Sequence, residues 1–191
     1  AIAVVAKEMG AHVELISGPV SLKPIPEIKT SYVETSSEMM ESVIKKINSN
    51  DIFISTAAIA DYHPSNYSNT KHKKSENNIT IEFERGKDIL KTVSEKYKDI
   101  FMVGFAAETD SLEMNTVEKL NNKKLDVIVG NIANHEKGLG FESDYNEVVI
   151  FSKNSNIAIK YDKKINIAES ILKFIAKEYS ARMSLVKSNV K

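Results

Sequence analysis

Ile100-Phe101-Met102-Val103-Gly104-Phe105-Ala106 is followed by an amphipathic stretch over residues 112–124 and then by Asp126-Val127-Ile128-Val129. The first run is apolar at nearly every position and too short for a buried helix, so it suits a strand. In the middle stretch Val117 and Leu120 mark a core side, while Lys119 and Lys123 form an i,i+4 pair on another face. The third run is again a short apolar strand. Strand, helix and strand in this order predict a parallel pair joined by a helical crossover.

The same alternation extends outward. Upstream, residues 51–56 read as a buried strand and residues 88–96 as a helix. Residues 37–48 form an amphipathic helix with Met40, Val43, Ile44 and Ile47 on one face and Ser36 or Ser37 as its cap. Residues 12–16, 28–34 and 79–83 read as further strands. Residues 1–9 are helical, with Gly10 as the stop. Because this helix opens uncapped at Ala1, a strand and a loop are expected before it. Downstream, residues 148–152 and 157–161 predict a hairpin, residues 165–179 a closing helix, and residues 180–191 a frayed tail. The expected fold is α/β and Rossmann-like: a mostly parallel sheet with helices on both faces, plus a C-terminal hairpin. Residues 1–179 make the domain and residues 180–191 a flexible tail.

Composition narrows the function. Of 191 residues, 42% are hydrophobic and 27% charged, as in globular domains. Lys+Arg and Asp+Glu each number 26, giving zero net charge, so the surface as a whole is not built to grip nucleic acid. No cysteine is present, which removes disulfides, thiolate metal sites and cysteine nucleophiles. A reducing, cytoplasmic setting fits, and a cysteine-free secreted protein would look the same. No apolar run has the length of a membrane span, and the chain does not open on a signal peptide. The four histidines lack metal-ligand spacing, and neither a Walker loop nor a G-x-G-x-x-G fingerprint occurs.

Ligands of such sheets bind outside the carboxyl ends of the strands. One such end reads Ser55-Thr56-Ala57-Ala58-Ile59-Ala60-Asp61-Tyr62-His63-Pro64. Its small residues admit a ligand close to the backbone, and Asp61 offers a carboxylate to a ribose, a base or a metal. They equally suit a tight strand–loop transition. Residues 60–77 are polar and unpatterned, as in a functional flap. They contain Lys71-His72-Lys73-Lys74, which serves either to neutralise phosphates or as a solvated charge run. The run Val103-Gly104-Phe105-Ala106-Ala107-Glu108-Thr109 again places small residues after a strand. Phe105 there suits either the side of a base or the core. Lys119 and Lys123 suit either phosphates or the negative end of their helix.

Taken in order, LISGPV (15–20), AAIADYHP (57–64), KHKK (71–74), GKDIL (86–90), VGFAAET (103–109), KLNNKKLDVIVGN (119–131) and GFESDYNEV (140–148) resemble one family. It is the bacterial phosphopantothenate–cysteine ligase, the C-terminal half of a bifunctional coenzyme A biosynthesis flavoprotein. The resemblance implies a CTP-dependent ligase. CTP activates the carboxylate of 4′-phosphopantothenate as an acyl-cytidylate, and cysteine then displaces CMP. It implies Mg²⁺ with CTP, no FMN in this domain, a homodimer, and a flavin-dependent decarboxylase domain upstream. It implies neither a nucleic-acid nor a membrane partner. By position, Lys71 is the flap lysine at the reacting centre. Ala57, Ala58 and Asp61 line the nucleotide site, Lys119 and Lys123 hold the triphosphate, and Phe105 sits by the nucleoside. Gly86, Lys87, Asp88 and Ile89 match the base-contacting turn, where the family usually has Asn-Pro-Asp. The family's first strand, its glycine-rich loop and an Asn-Arg-Ser-Ser-Gly segment would precede Ala1. Two other classes remain open: an inactive dimerising or nucleotide-binding remnant, and a dinucleotide oxidoreductase. The second is disfavoured by Ser17-Gly18-Pro19 where an acidic residue would hold the ribose.

Overall fold

The computed structural model describes residues 1–66, 70, 78–108, 112–132 and 143–189. Its elements follow in the order α1 (Ile2–Glu8), β1 (Glu14–Ser17), β2 (Lys29–Tyr32), α2 (Ser36–Lys46), β3 (Ile52–Ser55), β4 (Tyr62–Pro64), β5 (Phe83–Arg85), α3 (Ile89–Lys96), β6 (Phe101–Glu108), α4 (Leu112–Asn122), β7 (Val127–Ile132), β8 (Tyr145–Ser152), β9 (Asn156–Lys163) and α5 (Lys164–Asn189). The main sheet has five strands in the order β3-β6-β7-β8-β9. β3, β6 and β7 run parallel, with Val103 opposite Val127, and β8 and β9 close the sheet as an antiparallel hairpin. β1 and β2 form a separate parallel pair, and β4 and β5 a separate antiparallel one. The Rossmann-like reading thus holds as a mixed sheet.

Strand alternation sorts the core onto the two faces of the sheet. Phe101, Val103, Val127 and Val129 pack on one face against Val5 of α1 and the Ile167–Ile171–Ile175 row of α5. Met102, Ala106 and Ile128 pack on the other against Val43 of α2, Leu90 and Val93 of α3, and Leu120 of α4. Each such fully buried aliphatic side chain contributes about 1.5–3 kcal/mol. Two glycines set how closely the second layer approaches. A Cβ at Gly104 would stand 2.8 Å from both Leu90 and Leu125, and one at Gly130 would stand 2.6 Å from Thr116 Oγ1.

Several expectations shift. The cap of α2 is Thr35, not Ser36 or Ser37. Its side chain accepts a bond from the Glu38 N–H, while Glu38 reaches back to the Glu34 N–H. This reciprocal Thr-x-x-Glu pattern satisfies two donors that Ser36 would leave open. On α4 the buried residues are Thr116 and Leu120, and Val117 is exposed. The strand expected over residues 79–83 is displaced to Phe83–Arg85, paired only with the short β4, and Ile79, Ile81 and Phe83 stand exposed.

α5 continues through the residues expected as a tail, to Asn189. Arg182 explains this. Its guanidinium donates to the Ile100 and Lys98 carbonyls and to Asp126 Oδ2 at 2.9 Å, and it lies over the Phe101 ring. Asp126 Oδ2 also accepts the Met102 N–H. A planar fork with three acceptors fastens the last turns of α5 to the starting edge of the sheet. No helix among the described residues is long and apolar enough to cross a membrane.

Candidate active site

Two sequence motifs that are far apart meet at the root of the β4–β5 arm. The Gly86 N–H donates to the Asp61 carbonyl at 2.7 Å, directly below the pairing of Tyr62 with Arg85. Ala57, Ala58 and Asp61 are exposed in the segment leaving β3, and Lys87 is exposed beside them. The arm therefore brings the AAIAD and GKDI stretches to one place.

Asp88 comes next. It is the N-cap of α3, and its Oδ1 accepts the Lys91 N–H at 2.9 Å. That bond satisfies one donor the helix cannot satisfy itself. Its other oxygen, Oδ2, pairs with Lys123 Nζ at 2.8 Å. Both side chains are about one-third exposed. Burial pushes the Asp88 carboxyl up, but the Lys123 ammonium and the Lys91 N–H outweigh it and hold the group below the ordinary aspartate value. Ile89 follows and is buried in the core, so only its backbone is available to a ligand.

Lys123 lies just past α4, and its N–H bonds to the Lys119 carbonyl one turn earlier. Because α4 is the crossover between parallel strands, this is the end that returns to the start of β7, not the carboxyl ends of the strands. The Lys123 side chain runs from there to the N-terminus of α3. The buried Ser94 hydroxyl places its one proton between two acceptors, with the Lys123 carbonyl nearer than the Lys91 carbonyl. Lys119 is half-buried on the same helix. The result is a corner where the N-terminus of α3, the Gly86–Lys87 turn and the Lys123 ammonium meet, with Lys119 one turn back on α4. Such a corner suits an anionic group.

The structure thus joins Asp61 to Gly86 and Asp88 to Lys123, with Lys87 and Ile89 on either side of Asp88 and Lys119 one turn before Lys123. Phe105 is separate. It packs against the face formed with α1 and α5, whereas α3 and α4 cover the other face. Lys71 lies outside the described residues. Among the described residues no three His, Asp or Glu side chains gather as a metal cluster. Ser94 was not foreseen, since a serine inside a short helix has no local mark of a tertiary role. The Asp88–Lys123 pair also escaped sequence reasoning as a pair, although Asp88 directly before an apolar helical run is a readable N-cap signal.

Residues 1–179 match the family model described as the DNA/pantothenate metabolism flavoprotein C-terminal domain, DFP. The chain belongs to the DFP family. The DFP chain is 40% identical over 178 residues to the coenzyme A biosynthesis bifunctional protein CoaBC of Bacillus subtilis, covering 92% of this chain and 44% of that protein. It is 33% identical over 186 residues to CoaBC of Escherichia coli, covering 95% of this chain and 46% of that one. The chain therefore spans less than half the length of these relatives. The crystal structure of the C-terminal domain of CoaBC superposes with a TM-score of 0.76 at 34% identity, covering 95% of this chain and 80% of that chain.

Proposed function

We propose that this DFP domain is the ligase part of a coenzyme A biosynthesis enzyme, working in the cytoplasm. In this reading it joins 4′-phosphopantothenate to cysteine at the expense of CTP. One observation supports it above the rest. Asp61, Gly86, Asp88 and Lys123 converge on a corner suited to polyphosphate, in a chain 40% identical to a protein named for coenzyme A biosynthesis.

The chemistry needs such a corner. A carboxylate is a poor electrophile because its oxygen is a poor leaving group. Attack of that oxygen on the α-phosphorus of CTP forms the acyl–phosphate bond and breaks the bond to pyrophosphate. The cysteine amine then attacks the acyl carbon, CMP leaves, and the amine proton passes to solvent. The first step crowds a carboxylate against a triphosphate. Fixed cations matter most where charge builds up in the transition state. We assign that role to Lys71. Lys119 and Lys123 hold the triphosphate in ground and transition states alike. Ala57, Ala58 and Asp61 line the nucleotide, and the backbone of the Gly86–Ile89 turn meets its base. With no cluster of protein ligands among the described residues, Mg²⁺ would arrive on the CTP phosphates.

The same reading makes the protein a homodimer, with a flavin-dependent decarboxylase domain upstream. β9 is an edge strand of the sheet, with Ile157 and Tyr161 exposed on it. An open edge with apolar side chains invites a second copy.

The deciding experiment is pyrophosphate release by the intact protein supplied with 4′-phosphopantothenate, cysteine and either CTP or ATP. Release that requires both co-substrates and is faster with CTP is expected. Equal rates with ATP overturn the nucleotide assignment, and no release with either overturns the ligase. Light scattering should give about twice the 21.3 kDa of this chain for the isolated domain; a clean monomer overturns the dimer.

A further inference from the structure

We propose that α3 is a positioning element for Lys123, with Asp88 fixing the ammonium and Ser94 fixing the backbone from which it springs. This rests on the reading of Lys123 as a phosphate-binding lysine and adds what makes it one. A lysine on a helix end is a flexible point charge with large rotamer freedom, so any ligand that captures it must first order it. Here the ordering is done before the ligand arrives.

The two oxygens of Asp88 have separate tasks. Oδ1 accepts the Lys91 N–H and caps α3, while Oδ2 accepts from Lys123 Nζ. The Asp88 carbonyl is itself held by the Thr92 N–H and the Thr92 hydroxyl, so the carboxylate stands on a braced turn. At the other end, α4 stops after Asn122, and Lys124 takes a left-handed φ of 53°. The last carbonyls of a helix lack intrahelical partners. Ser94, 3% exposed, donates its hydroxyl to the Lys123 carbonyl. That bond fixes where α4 ends and where the Lys123 side chain begins. One helix therefore grips the residue at its backbone and at its tip.

The arrangement leaves Lys123 useful. An ammonium has three donors, and Asp88 takes one. The Asp88 carboxylate also lowers the net charge of the corner, which by itself would weaken attraction for an anion. The two effects have opposite signs, so an experiment can separate them. If positioning dominates, removing the Asp88 charge weakens nucleotide binding. If Asp88 were only an N-cap beside a binding site, removing its charge would leave binding unchanged or make it tighter.

Asp88→Asn is the suitable variant because asparagine caps a helix about as well as aspartate. Titration calorimetry of CTP against the intact protein is compared for the wild type, Asp88→Asn, Lys123→Ala and the double variant. Asp88→Asn should weaken CTP five- to thirty-fold with a thermal midpoint within a few degrees of wild type. In the Lys123→Ala background the same change should have no further effect, the mark of a residue acting through its partner. Ser94→Ala should weaken CTP by a smaller factor and also lose its effect in that background. Asp88→Asn binding within twofold of wild type, or more tightly, overturns the proposal, as does strict additivity with Lys123→Ala. A large drop in the thermal midpoint of Asp88→Asn would make the residue structural and also overturn it. If Lys123→Ala itself binds CTP like wild type, Lys123 is not a nucleotide ligand, and that part of the proposed function falls with the positioning role.

Discussion

Two aspartate–cation pairs stand in this molecule with similar exposure and distances of 2.8 and 2.9 Å, yet they do different things. Arg182 joins Asp126 and turns its fork on two further carbonyls, so three of its five donors hold α5 on the sheet. Lys123 joins Asp88 by one of the three donors of its ammonium among the described residues. Asp126 turns its bound oxygen toward a strand N–H, and Asp88 turns its second oxygen toward a helix N-terminus. A cation held at three points, two of them backbone carbonyls, is a fastener. A cation held at one point beside a helix N-terminus is a group kept ready. The donor geometry of arginine and lysine makes the difference, not distance or burial.

Removing the fastener should have the largest effect. Arg182→Ala leaves Asp126 and two carbonyls without their donor at a partly buried edge. It is expected to cost roughly 2–3 kcal/mol, in the range for bonds to charged groups and for orphaned partners. For a domain of this size that is a fall of about 5–10 °C in thermal midpoint. CTP affinity should not change. An Arg182→Ala protein melting within 2 °C of wild type would mean that the last turns of α5 are ornamental and that the tail reading of the sequence was sound.

How far the sequence could be read follows the same division. The strand over residues 100–106, the helix over 112–124 and the strand over 126–129 are legible because strand and helix periodicities differ and this βαβ unit is strongly apolar. The long α5 was cut short at Tyr179 because its final turns have few buried apolar positions. They are held by Arg182, whose partners lie more than fifty residues away in the chain. The strand at 79–83 was misplaced for the opposite reason. Ile79, Ile81 and Phe83 alternate as a buried strand should, yet all three stand exposed. In the site, Asp61, Gly86, Asp88 and Lys123 could each be named one by one. Their contacts could not, since a hydrogen bond between distant segments leaves no periodic trace. Phe105 shows the limit of position alone. Strand alternation with Gly104 and Ala106 puts its ring on the α1–α5 face, away from Lys123.

Substitution at Asp88 should sharpen the contrast with Arg182 on stability. Asp88→Ala removes a helix cap and is expected to cost about 1 kcal/mol. Asp88→Asn should cost only a few tenths, because the cap survives. Urea denaturation distinguishes them. If Asn is as damaging as Ala, the Lys123 pair supports the fold as Arg182 does, and the two aspartates are alike after all.

The pH dependence has a definite sign. The Asp88 carboxyl is held below its ordinary value in the folded protein. Its stabilisation is therefore fully present above the unfolded aspartate pKa, near 3.9, and is lost as pH falls through the lower folded value. The stability difference between wild type and Asp88→Asn should be constant well above the unfolded aspartate value and shrink as pH falls through the lower folded value. A difference that grew on acidification would give the shift the wrong sign.

The smallest expected effect lies on α4 itself, the helix whose end carries Lys123. Thr116 is fully buried on its sheet-facing side, and its hydroxyl has no hydrogen-bond partner among the described residues. It faces Gly130, where an added Cβ would come within 2.6 Å of the oxygen. A buried hydroxyl without a partner is a net cost, whereas a methyl group of nearly the same shape makes dispersion contacts there at no desolvation penalty. Valine and threonine have similar helix propensities, so the backbone term nearly cancels. Thr116→Val should therefore stabilise the domain by about 0.5–1 kcal/mol and raise the thermal midpoint by about 2–4 °C. CTP affinity should stay at the wild-type level, because the change neither moves α4 nor touches the Asp88–Lys123 pair. Destabilisation by more than 1 kcal/mol would show that the hydroxyl has a partner in the folded protein and that α4 is held to β7 by a polar contact in addition to packing against Gly130.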